Sequence, residues 1–144
     1  MRWPMQNRTT AVIAVALATT ALVACSSRSA SAVSSTATVT VDGKDSTMHI
    51  VKCTQLEWYR MINIGSDFAG AKIVIDQRAH PVTAESVRIQ NLNGFTGMYS
   101  RGGDGNADLR LSGDKFTITG TAHGYKADKP GDAATATFKI VTAC

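Results

Sequence analysis

The chain has 144 residues, with fifteen Lys/Arg against eleven Asp/Glu and three cysteines. Its charges are spread without a basic run, which disfavours a nucleic-acid partner, since such partners leave a clustered cationic footprint. The length fits one domain, and two cysteines with three scattered histidines lack the spacing of a zinc site, so no metal and no cofactor is expected.

Residues 1–24 have the three parts of an export signal. Arg2 and Arg8 form a positive n-region, and Ala11 to Val23 is an apolar stretch broken only by Thr19 and Thr20. That stretch is too short to span a bilayer, which takes about 20 residues. It ends in Leu22-Val23-Ala24-Cys25, which reads as a lipobox: the cysteine is acylated and the chain is cut just before it. The alternative is an ordinary secretory signal in which Cys25 is incidental. With an S-diacylglycerol and an N-acyl chain on Cys25, two or three hydrocarbon chains hold the protein at the membrane, each buried methylene contributing ~0.8 kcal/mol. The expected location is the outer face of the cell membrane, in the cell envelope. Loss of Arg2 and Arg8 leaves thirteen basic against eleven acidic residues, so the mature chain is close to neutral.

Residues 25–38 follow as the acylated cysteine and a tether made almost entirely of Ser, Ala and Thr. Such a composition buries too little apolar surface to offset the entropy of ordering. A Ser/Thr-rich exported segment is also a site where O-linked sugar could sit.

Residues 39–144 form the expected globular domain. With Cys25 taken by lipid, Cys53 and Cys144 remain, and in an exported chain they most simply form one disulfide. Parity agrees: Cys144 shares a face with Phe138 and Ile140, and Cys53 shares one with Val51. Both cysteines are therefore expected on the buried face.

Alternation of period two dominates, with no sustained helical period. The predicted strands are Ala37–Val41, Met48–Cys53, Glu57–Ile64, Lys72–Ile75, Glu85–Leu92, Phe95–Ser100, Ala107–Leu111, Phe116–Ala122 and Thr135–Ala143. The fold class is mainly β: one antiparallel curved-sheet, sandwich or half-barrel domain with at most one short helix. Asn93-Gly94 is the pair that a type I′ hairpin favours, and Ser112-Gly113-Asp114 joins two strands in the same way. Asp42-Gly43 is expected to begin a longer turn before Met48. Gly120, on the inward parity of Phe116 and Ile118, predicts a bend or a close backbone approach.

The segment from Trp58 to Ile64 carries large apolar groups on both faces. It reads as a central strand covered on both sides, or as a short helix begun by the capping-box pattern Thr54-x-x-Glu57. A third reading is a strand lining an apolar cavity near Trp58, Met61 and Ile64, which would hold a lipid ligand. Asp104-Gly105-Asn106-Ala107-Asp108 resembles a calcium loop only superficially, because Leu109 and Lys115 stand where an EF-hand needs Gly and Glu. No Gly-x-Ser-x-Gly, His-Glu-x-x-His or phosphate loop is present, and His49, His80 and His123 have no local partners, so a non-enzymatic protein is expected.

Several stretches, in order, resemble the mycobacterial 19 kDa lipoprotein antigen family. They are Leu22–Ser27, Val41-Asp42-Gly43-Lys44-Asp45, Val51-Lys52-Cys53-Thr54, Asn91-Leu92-Asn93-Gly94-Phe95-Thr96, Gly105-Asn106-Ala107, Ile118–Gly124 and Phe138–Cys144. The resemblance implies an acylated, membrane-anchored, disulfide-bonded antigen exposed to a host, with Cys25 engaging innate lipopeptide receptors. It also implies a link to lipid carriage through related envelope lipoproteins. The sequence departs at Glu57-Trp58-Tyr59-Arg60-Met61, which is bulkier than the family pattern, and at Ala143.

Overall fold

Side chains of a strand point alternately to opposite faces, so one buried face needs an apolar residue at every second position. In a computed structural model, which describes residues 36–144, that pattern runs through ten strands. The predicted export signal (1–24), Cys25 and the tether up to residue 35 lie outside the described residues.

The strands are β1 (Ala37–Val41), β2 (Lys44–Met48), β3 (Val51–Leu56), β4 (Tyr59–Gly65), β5 (Gly70–Asp76), β6 (Thr83–Leu92), β7 (Phe95–Ser100), β8 (Asn106–Ser112), β9 (Lys115–Lys126) and β10 (Lys129–Ala143). All pairings are antiparallel, in the order β2-β1-β10-β9-β7-β6-β5-β4-β3, with β8 also on β9. The result is an all-β, nearly closed, barrel-like sheet with no helix among the described residues.

Strand β9 causes the curvature. Its first half, Lys115 to Thr121, pairs with β8, and its second half, His123 to Lys126, pairs with β7 on the same side. The sheet must therefore fork at Ala122. Gly120 lies just before the fork, where an added Cβ would stand 1.9 Å from the backbone oxygen of Asn106. The close approach expected at this glycine is what permits the fork.

Every strand but β2, β3 and β8 contributes fully buried apolar residues, and those three add the partly buried Met48, Val51, Ala107 and Leu109 against the core. Val39 and Val41 of β1 pair with Ile140 and Phe138 of β10, and Ile140 pairs with Ile118 of β9. Across the other half, Ile62 pairs with Ile73 and Ile73 with Val87. These residues, with Phe95, Phe116 and Ile89, are at most 4% exposed.

The turns explain where the predicted strands needed revision. Asn93 and Gly94 both have positive φ (51° and 72°), as a type I′ hairpin requires. Asp42 and Gly43 do too (48° and 79°), so they form a two-residue turn and not the start of a longer one. Strand β2 begins at once, and its Lys-Asp-Ser-Thr sequence escaped detection because an edge strand exposed to solvent has no apolar alternation. The predicted strand Met48–Cys53 is thus two strands that meet at the His49–Ile50 bend. The predicted strand Glu57–Ile64 starts later, because Glu57, at φ 51°, turns the chain together with Trp58. Thr54 lies within β3, so the capping-box pattern begins no helix.

Candidate functional site

Cys53 and Cys144 form the expected disulfide, with Cα atoms 6.0 Å apart and a sequence separation of 91. Both residues are exposed, contrary to the buried position read from parity. Parity gives direction but not depth. Cys144 follows the last residue of β10, and Cys53 lies on the terminal strand of the sheet, so the bridge closes the rim. The Cys144 N–H donates to the Asp114 carbonyl at 3.1 Å, tying the same rim to the β8–β9 turn.

Trp58, Met61 and Ile64 are not brought to one surface. Trp58 sits in the β3–β4 turn and is 42% exposed, while Ile64 is in the core at 2%. Met61 is half-buried, and its odd spacing from Ile62 and Ile64 puts it on the outer face. A two-sided apolar strand arises here because the outer face of β4 is partly covered while its inner face is buried.

Trp58 instead belongs to a polar cluster at one end of β3 to β6. Asp76, only 4% exposed, closes β5, and Arg78 curls back onto it. The Arg78 Nε and Nη2 donate to the two Asp76 carboxylate oxygens at 3.0 and 2.9 Å, and the Arg78 backbone N–H donates to Asp76 Oδ1 at 3.0 Å. Arg78 Nη2 also reaches the Tyr59 hydroxyl at 3.0 Å. The guanidinium lies 4.7 Å from the Trp58 ring centre and 5.3 Å from that of Tyr59, within cation–π range. Arg101 approaches Asp76 at 3.8 Å and Glu85 at 3.5 Å.

These contacts fix the charges. The Arg78 hydrogen bonds hold the Asp76 carboxyl below its ordinary value, against the opposing effect of burial, and the same carboxylate raises the Arg78 guanidinium. A pair of this kind, ionised at neutral pH, recognises or orients and has no proton to exchange there. Because the folded Asp76 binds its proton more weakly than the unfolded one, its stabilisation is fully present above the unfolded value near 3.8. It is lost as pH falls through the lower, folded value. The melting temperature should therefore fall below about pH 4, and Asp76→Asn should make that acid limb shallower in a pH series of thermal melts.

Among the described residues, no group of three or more His, Cys, Asp or Glu is placed to hold a metal ion. The Arg78 cluster was not foreseen in the sequence, since its members come from separate strands and turns. The Trp58-Tyr59 pair was its only visible sign.

A family model described as Mycobacterium 19 kDa lipoprotein antigen matches residues 30–144. A protein of Mycobacterium indicus pranii whose name reads lipoprotein is 59% identical over 140 residues, covering 97% of this chain and 100% of the relative. LppE of Mycobacterium tuberculosis, also named as a lipoprotein, is 29% identical over the same shares. Lipoprotein LpqH of Mycobacterium avium is 34% identical over 108 residues, 74% of this chain and 66% of the relative.

Proposed function

Because the chain belongs to the mycobacterial 19 kDa lipoprotein antigen family, we propose that it is an envelope lipoprotein that displays a rigid β domain from a lipid anchor on Cys25. It acts by surface display and interaction and has no enzymatic activity. Host innate lipopeptide receptors would read the acylated Cys25, while the β domain offers its outer surface to other partners.

The observation that carries display over carriage is the filled interior. Phe95, Phe116, Phe138 and the isoleucines of β4, β5, β6, β9 and β10 occupy the space between the sheet's faces. A carrier needs that space for its ligand's hydrocarbon, and buried apolar side chains from both halves of the sheet already occupy most of it.

The test is Cys25→Ser in the full precursor. Loss of a fatty-acid label and release of the protein from the membrane fraction are expected. Persistence of the label on the variant would refute acylation at Cys25. Protease treatment of intact cells then reads display: the domain should be cut or shed from outside, whereas complete protection would rule out surface exposure.

A further inference from the structure

The β4–β5 hairpin carries the most exposed large apolar residue among those described, Phe68, at 85%. The turn is built to present it. Ser66 Oγ accepts hydrogen bonds from the Phe68 and Ala69 N–H groups at 3.3 and 3.2 Å, and the Ser66 N–H donates to the Ala69 carbonyl at 2.9 Å. Ile50, 53% exposed, stands beside the hairpin, where its carbonyl accepts the Gly65 N–H at 2.8 Å.

Behind this apolar tip lies a cationic row. Lys52 is opposite Asn63, Asn63 opposite Lys72, and Lys72 opposite Arg88. All three cations are exposed. Asp67 offsets part of the charge through an exposed pair with Lys72 at 3.4 Å, leaving the row net positive. Shallow grooves flank the hairpin. One of about 490 Å³ is bordered by Ile50, Lys52, Phe68 and Lys72, and one of about 170 Å³ by Lys72, Arg88 and Gln90.

Phe at the tip, with Lys and Arg two residues in from the Gly65–Gly70 pair that closes the turn, matches the order of a bilayer surface, where acyl chains lie below anionic headgroups. We propose that this hairpin is a membrane-contact element that seats the domain on an anionic phospholipid bilayer. Phe68 and Ile50 enter the acyl boundary, while Lys52, Lys72 and Arg88 meet headgroup phosphates.

The place of the hairpin relative to the chain's entry point favours a membrane over another partner. Ala37, the first strand residue, pairs with Met48, two residues before Ile50, and Ile50 bonds Gly65, three residues before Phe68. That path bounds the distance from Ala37 to Phe68 at roughly 30 Å. Ala37 is twelve residue steps from Cys25, and these can span roughly 40 Å. The bilayer holding Cys25 is therefore within reach of the patch. In this respect the inference rests on the anchoring reading.

The test uses the mature-length chain, residues 25–144, carrying Cys25→Ser, so that membrane binding reports the patch alone. Its sedimentation is measured with phosphatidylcholine vesicles, with and without phosphatidylglycerol. Binding to the phosphatidylglycerol vesicles, weakened by salt, is expected. Phe68→Ser should weaken it on the order of tenfold. Lys72→Gln and Arg88→Gln should each weaken it about fivefold and together remove most of the lipid preference. Equal sedimentation with both vesicles, or a Phe68→Ser variant that binds as tightly as its parent, overturns the proposal. Fatty-acid labelling of the unaltered precursor is scored separately. Label without vesicle binding by the Cys25→Ser chain removes this inference and leaves the anchor, while binding without label does the reverse.

Discussion

Replacing Cys53 and Cys144 together with serine is expected to lower the melting temperature by on the order of 15–20 °C. The bridge spans 91 residues, and closing a loop of that length removes ~4–5 kcal/mol of chain entropy from the unfolded state. For a domain of about 100 residues, each kcal/mol corresponds to roughly 4 °C. The structure gives a second reason for a large effect. Strand β3 pairs with β4 on one side, and among the described residues no hydrogen-bonded strand closes its other side. The disulfide is what joins β3 to the end of β10. The shift of the double variant and the shift that reductant causes in the unaltered protein, both read from thermal melts, should agree with one another. A shift of only a few degrees in both would show that the rim is held without the bridge.

A comparable loss, about 3–5 kcal/mol, is expected for Phe138→Ala. Phe138 is 4% exposed and stands between Val41 on β1 and Gly120 on β9. Gly120 contributes no side chain to that inward face and accepts none, because Asn106 already crowds it. Phe138 thus stands opposite a position without a side chain, and that β9 residue cannot fill the gap left by its removal. Phe68→Ser is the matched control. It deletes an aromatic ring of the same size, yet Phe68 is exposed, and its denaturation midpoint should stay within about 0.5 kcal/mol of the parent. Equal losses at the two positions would mean that burial in the structure does not govern their energetics.

Much of this fold could be read from residue parity. Val39, Val41, Ile118 and Ile140 repeat at every second position, and Asn93-Gly94 marks its own turn geometry, so β1, β6, β7, β9 and β10 were visible in the sequence. Strand β2 was not, because Lys44, Asp45 and Thr47 are exposed at an edge and carry no apolar signal. The pairing of Cys53 with Cys144 was legible by count and parity, but its exposure was not, since depth depends on where the sheet ends. The Arg78 cluster is a tertiary feature. Asp76 and Arg78 are close in sequence, but Tyr59 and Trp58 reach them only because β4 and β5 pair with Tyr59 opposite Asp76. Met61 and Ile64 were grouped with Trp58 by apolar character alone, whereas one strand sends them to opposite faces.

The pairing of β1 with β10 has a consequence for how the chain acquires its structure. Thr38 to Val41 find their inner partners only at residues 138–141, about a hundred positions later. In a chain delivered N-terminus first, β1 and β2 remain a solitary hairpin, marginal in water, until β10 has emerged. The central strands β4 to β7 can zip up as a meander beforehand, but the layer carrying β1 waits. Completion is thus placed at the end of delivery, because β1 has no inner partner before β10 arrives.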